Sequence, residues 1–409
     1  MVKVFRVGVL ACLALGVGCK NRDTGDRPWP PPAELPHPKP LWSVSGLHVT
    51  AGSKLPTDPA GRLFLFDRSR HVPFAVNAKT GRRVWTAEED PALPVAPPKA
   101  HWDRYFYLSL ADDVLVLDTQ GYVAAYRTDD GKRLSSRPVP EFTEIEAQGH
   151  HLKLARGKNG LGTHRIVIAA TGEEVAVVEP GLVRTRVTNS RPSLPEGRNV
   201  TLGRDVVLVA DNGTKLEARP LRASLPSWRV EMPPVTIDDG RSWVPVLYVD
   251  GVFVWFGGPM IALDESTGRR LWERPVARDH EEIAAGNMLL VLEGATVVKL
   301  AARSGVVRER YAVPSLPDRR ADYDLLAAGD RVALVESDSR KGWTNMFSET
   351  QPGYVVMWTG GARAPVVLIR PAKTDVFAMV GDVLLAAASD EGQLFAVDLE
   401  RHEVTRDPR

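Results

Sequence analysis

The sequence predicts an all-β chain closed into an eight-bladed β-propeller of four-stranded antiparallel blades, with seven blades as the runner-up. Three observations predict it. Glycine (34) and proline (32) are abundant among the 409 residues, and no long amphipathic helical period runs through them. Short apolar runs with a shared opening recur at a mean spacing of roughly 46 residues, the length of one four-stranded blade. A strand–turn–strand corner from Ala75 to Trp85 is repeated almost residue for residue from Ala262 to Trp272.

The N-terminus reads as a targeting segment. Lys3 and Arg6 supply positive charge, and Val7 to Val17 is apolar but short of the roughly 20 residues a spanning helix needs. Gly18 and Cys19 follow. The segment resembles a bacterial lipoprotein signal, which implies removal of residues 1–18 and lipidation of Cys19. It departs from that pattern at Gly16, where leucine is usual; Leu15 lies one place further back. Lys20 after the cysteine, in place of an aspartate, favours the outer membrane, facing the periplasm. Residues 19–40 then form a tether. Pro28, Pro30, Pro31, Pro32, Pro36, Pro38 and Pro40 favour a semi-rigid extended spacer with few backbone donors.

The rest of the chain, residues 41–409, is expected to be propeller. Unit starts fall at Gly61, Asp113, His151, Asp205, Gly251, Asn287, Asp330 and Asp382, each leading into an apolar strand. A turn and a second strand follow, as in Tyr122–Tyr126 and Gln393–Val397, then the corner and a last strand. In the corner, Asn77 or Asp264 can hydrogen-bond the backbone just downstream, and Gly81 or Gly268 can take positive φ. Worn copies stand at Asp129–Gly131, Ala170–Gly172 and Arg303–Gly305, with Ser135, Ala176 and Glu309 in place of the tryptophan. The eighth corner keeps Ala396 and Asp398 but has His402 where glycine should be. The fourth unit runs on to Trp228, and the seventh carries an insertion from Lys341 to Gly353, a candidate functional loop. Ring closure has two candidates for the last outer strand: Leu41–Val44 and His402–Thr405.

The corner, Ala-x-Asx-x-x-Thr-Gly-x-x-x-Trp, resembles the repeat of the pyrroloquinoline-quinone (PQQ)-like propellers. That resemblance implies that the tryptophan of each corner docks between the alanine of its own motif and the glycine peptide of a neighbouring blade. The implied docking residues are Ala75, Asn77, Gly81 and Trp85, and Ala262, Asp264, Gly268 and Trp272. The family holds quinoprotein dehydrogenases, which are longer and carry an aspartate base and calcium, many with a disulfide of adjacent cysteines. It also holds a non-catalytic branch that includes the lipoprotein of the outer-membrane barrel-assembly machinery.

The residues favour the second branch. The only cysteines are Cys12 and Cys19, so a mature chain starting at Cys19 has no disulfide and no Cys-x-x-Cys metal site. The aspartates lie mostly in turns, where they are structural. His150 and His151 point to opposite faces of a strand and are poorly placed to share a metal with His164. Lys and Arg (52) balance Asp and Glu (51), leaving no field for nucleic acid. The expectation is a non-catalytic envelope scaffold: a monomeric ring without cofactor or metal, held to the membrane at Cys19 and binding envelope proteins, outer-membrane protein assembly being the specific guess. Trp343 and Trp358, outside the corner motif, are candidate partner contacts. Two alternatives stand beside it: a ring that binds a glycan or quinone in its channel, and a PQQ-dependent dehydrogenase.

Overall fold

The computed structural model describes residues 40–48, 55–67, 69–89, 107–119, 121–139, 142–156, 163–179, 199–211, 215–233, 246–275, 280–313, 322–337, 354–360, 365–369, 376–388 and 393–399. These form thirty-two strands in eight antiparallel four-stranded sheets. The chain opens with β1 (Pro40–Val44). Blade 1 holds β2 (Leu47–His48), β3 (Arg62–Asp67), β4 (Val72–Asn77) and β5 (Arg83–Thr86). Blade 2 holds β6 (Tyr107–Ala111), β7 (Val114–Asp118), β8 (Tyr122–Arg127) and β9 (Arg133–Pro138). Blade 3 holds β10 (Phe142–Gln148), β11 (His151–Arg156), β12 (His164–Ile168) and β13 (Glu174–Val178). Blade 4 holds β14 (Asn199–Leu202), β15 (Val206–Asp211), β16 (Lys215–Pro220) and β17 (Trp228–Glu231). Blade 5 holds β18 (Val246–Val249), β19 (Val252–Phe256), β20 (Pro259–Asp264) and β21 (Arg270–Pro275). Blade 6 holds β22 (His280–Ala285), β23 (Met288–Glu293), β24 (Thr296–Ala301) and β25 (Val307–Ala312). Blade 7 holds β26 (Asp322–Ala328), β27 (Arg331–Ser337), β28 (Tyr354–Trp358) and β29 (Val366–Ile369). Blade 8 holds β30 (Val376–Val380), β31 (Val383–Ala388) and β32 (Gln393–Asp398), and takes β1 as its fourth strand.

The first strands touch one another around the centre: β6 meets β10, β10 meets β14, and so on through β18, β22, β26 and β30. The unit starts read from the sequence therefore mark the second strand of each blade. The inner strands carry polar residues along the channel, such as Ser109, Gln148 and Glu282, and have no fixed opening, so they leave no recurring mark in the sequence.

Second strands read as unbroken apolar runs because both of their faces are buried. Alternate side chains of a strand point to opposite faces. Leu63 and Leu65 pack toward blade 8, and Phe64 and Phe66 toward blade 2. The same division holds around the circle, so the core is eight apolar layers, one at each junction between neighbouring blades, rather than a single centre.

The two chain ends meet in blade 8. β1 pairs antiparallel with β32, placing Trp42 opposite Ala396 and Val44 opposite Leu394. Of the two closing candidates, Leu41–Val44 takes the position; His402–Thr405 lies outside the described residues.

Candidate functional site: interblade clasps and central channel

Each intact corner is built by its own polar residue. Asp264 Oδ1 accepts from the Ser266 and Thr267 backbone N–H groups at 3.2 and 3.1 Å, and from their hydroxyls at 2.6 and 2.9 Å. Its other oxygen takes Arg303 of blade 6 at 2.8 Å. Partial burial pushes the Asp264 carboxyl up, but these hydroxyl and guanidinium donors together hold it below the usual carboxylate range. Asn77 does the same without charge, accepting from the Lys79 and Thr80 N–H groups at 3.1 and 3.0 Å.

The corner then receives an indole from the blade before it. Trp85 lies opposite Ala75, donates Nε1–H to the Thr128 carbonyl at 2.7 Å, and covers Gly131 of blade 2. Trp272 lies opposite Ala262, donates to the Ala302 carbonyl at 2.7 Å, and covers Gly305 of blade 6. Gly81 and Gly268 accept indoles in turn, from Trp42 and Trp228, whose Nε1–H groups reach the Ala78 and Glu265 carbonyls at 3.0 and 2.8 Å. A Cβ on Gly305 would sit 2.7 Å from the Trp272 ring, and its φ of 66° disfavours any side chain.

The corner motif does not reach Trp42 or Trp228. A signal was present for one: Ala218 precedes Trp228 by the same ten residues that separate Ala75 from Trp85, although Asx and Thr-Gly are gone. Trp42 gave none, since its alanine partner is at the far end of the chain.

Where the indole is missing, other groups join the blades. Arg137 donates to the Gly172 carbonyl at 2.6 Å between blades 2 and 3. Buried Lys153 donates to the Val200 carbonyl at 2.9 Å between blades 3 and 4, and pairs with Glu146. Tyr311 packs its ring 5.6 Å from Trp358 between blades 6 and 7. Arg331, 7% exposed, pairs with Asp382 at 2.7 Å between blades 7 and 8.

Glu265 joins blades 4 and 5 with its side chain as well. It accepts the Asp205 N–H at 2.8 Å and the Tyr248 hydroxyl at 2.9 Å. Burial, followed by the Glu265 charge and hydrogen bond, raises the Tyr248 phenol well above its usual range, so it stays protonated.

Trp358 requires a correction. It is 1% exposed and sits in the apolar layer between blades 6 and 7 with Leu290, Val297 and Val356, so it offers no surface to a partner. Its β28 position puts it on a face covered by the next sheet. Trp343 and the insertion around it, and Cys19 with the tether up to residue 39, lie outside the described residues, while Pro40 already belongs to β1.

The channel is a cavity of about 810 Å³ walled by the first strands of blades 2 to 6. Leu108, Ile145, Leu202 and Leu247 alternate there with Ser109, Glu146, Thr201 and Tyr248. Among the described residues no group of three or more His, Cys, Asp or Glu is placed to hold a metal ion. His151 is buried while its neighbour His150 is exposed, with Nδ1 3.3 Å from Asp112.

Eight four-stranded blades with indole-capped corners define the class of fold: an eight-bladed β-propeller. More particularly, residues 39–230 match the family model described as outer membrane protein assembly factor BamB. Among solved structures, BamB from Moraxella catarrhalis superposes with a TM-score of 0.53 at 12% identity, over 88% of this chain and 99% of that one. The computationally designed Ika8 protein gives 0.49 at 12% identity with the same coverages. Hsv2 from Kluyveromyces lactis gives 0.45 at 11% identity, over 69% and 89%. At such identities the likeness is one of fold. No curated protein matches the chain.

Proposed function

We propose that this chain is a non-catalytic scaffold of the cell envelope, lipidated at Cys19 and acting in the assembly of outer-membrane proteins. The observation that carries this reading is the family-model match over residues 39–230, whose description names an assembly factor. The sequence supports it: residues 1–18 have the form of a lipoprotein signal, and residues 19–40 have the composition of a tether. So does the fold, because among the described residues every blade ends in an outer strand with one unpaired edge, a surface suited to protein partners. The membrane proposed is the outer one, with the ring in the periplasm.

Affinity isolation from solubilised membranes after cross-linking tests the role. Recovery of outer-membrane barrels or their assembly proteins is the expected result; recovery of none overturns it. Labelling with a fatty-acid analogue, present in the native chain and lost in Cys19→Ala, tests the anchor separately. Addition of PQQ and calcium with a dye-linked alcohol assay tests the dehydrogenase alternative, and no turnover is expected.

A further inference from the structure

The turns between first and second strands gather at one mouth of the channel. In blades 3, 6, 7 and 8 the left-handed residue of this turn is a glycine: Gly149, Gly286, Gly329 and Gly381, with φ of 54°, 60°, 60° and 53°. In blades 2 and 5 the same place holds Asp112 and Asp250, at φ 49° and 41°. Aspartate is one of the few residues besides glycine that readily take this backbone, and Asp250-Gly251 is a favoured pair for a two-residue hairpin turn, so the turns fix two carboxylates at the mouth in the place where blades 3, 6, 7 and 8 have glycine.

Those two aspartates flank a depression of about 330 Å³ that also takes in Gln148, Arg204, Tyr248 and Asn287. It opens into the channel, whose wall shares Gln148 and Tyr248. The Asp250 carboxylate, the Arg204 guanidinium and the Gln148 and Asn287 amides make no side-chain hydrogen bond or ion pair among the described residues. They are exposed or half-exposed and aimed at solvent from four different blades. The Tyr248 ring is held still by its hydroxyl, which donates to Glu265 and accepts from the Gly251 N–H at 3.0 Å. Tyr107, 38% exposed, presents a second ring further along the wall.

The chemistry selects a ligand class. Two carboxylates disfavour an anion, and a guanidinium among them disfavours a metal ion. Acceptors, donors and amides interleaved around aromatic faces suit a neutral molecule whose every polar group both donates and accepts. A peptide would look for apolar pockets at alternate positions, and apart from Tyr248 the mouth has none. We propose that the mouth formed by blades 2 to 6 binds an oligosaccharide, with Asp112 and Asp250 accepting from vicinal hydroxyls, Arg204 and the amides donating, and Tyr248 under the sugar face.

Calorimetric titration of the purified full chain with chitotriose, maltotriose and mannotriose tests this. Binding of at least one is expected. Asp112→Gly and Asp250→Gly should each weaken that binding at least tenfold without lowering the melting temperature, because glycine takes the turn freely. If either glycine variant loosens the turn, Asp112→Asn and Asp250→Asn keep its shape and should show the same loss. No heat from any of the three sugars at millimolar concentration overturns the proposal. So does binding that the aspartate variants leave intact, or binding of calcium or of a peptide mixture in place of the sugars.

Discussion

Trp42 and Ala396 face each other across β1 and β32, although they come from opposite ends of the chain. The same indole then reaches forward to the Ala78 carbonyl and covers Gly81 in blade 1. One residue therefore closes blade 8 and joins it to its neighbour. Deleting residues through Val44 should leave β32 as an open edge, increase amide exchange in blades 1 and 8 first, and promote self-association. Trp42→Ala should do the same in milder form. Uniform exchange across all blades would contradict this.

Trp272→Ala removes an indole packed over Gly305 together with its hydrogen bond to Ala302. The expected cost is about 3 kcal/mol, at the lower end for a large aromatic because the ring is only partly buried. Trp272→Phe keeps most of the packing and should cost about 1 kcal/mol, the value of the lost bond. Urea unfolding of the three proteins measures both steps.

Gly305→Ala should destabilise by about 1–3 kcal/mol with the tryptophan intact, since the added carbon meets the ring on a backbone that already disfavours it. In the Trp272→Ala background the clash is gone and only the backbone penalty remains. A double-mutant cycle should therefore show coupling, and strict additivity would mean that the two residues do not touch.

Two groups give successive limbs on the acid side of a pH profile. Burial lowers the His151 pKa below the usual imidazole value of about 6.5, outweighing the Arg204 backbone bond that raises it; His150 and Arg222 lower it further, and Asp205 raises it. A depressed histidine leaves the unfolded chain to take the proton first. Its share of stability is thus complete above about 6.5 and declines as pH falls through that value. His151→Gln should flatten this limb. Asp264, also depressed, contributes fully above the ordinary carboxylate value and loses that contribution on further acidification; Asp264→Asn should remove that second limb. Urea midpoints measured from pH 8 to about 3 read both.

The blade count and the corner were legible because they rest on local chemistry. An Asx side chain bonding the next two residues, a glycine at positive φ and an indole ten residues from an alanine leave marks in a short window. The inner strands left none, since a strand with one face on a polar channel needs no fixed residue. Trp358 illustrates a second limit. Nothing in its immediate sequence distinguishes an exposed anchor from a core ring; its burial comes from Tyr311 and Leu290 of another sheet. The channel mouth escaped for a related reason: Asp112 and Asp250 look like ordinary turn residues until the turns of other blades show glycine in their place.

The pairing of β1 with β32 also orders events in time. Emerging first, residues 40–44 find no partner until residues 393–398 have been made, so a chain interrupted anywhere earlier carries two raw edges and cannot seal. It also fixes geography: the described chain begins on the circumference of the disc, at the outer strand of blade 8, so a leash attached there would hold the ring by its side.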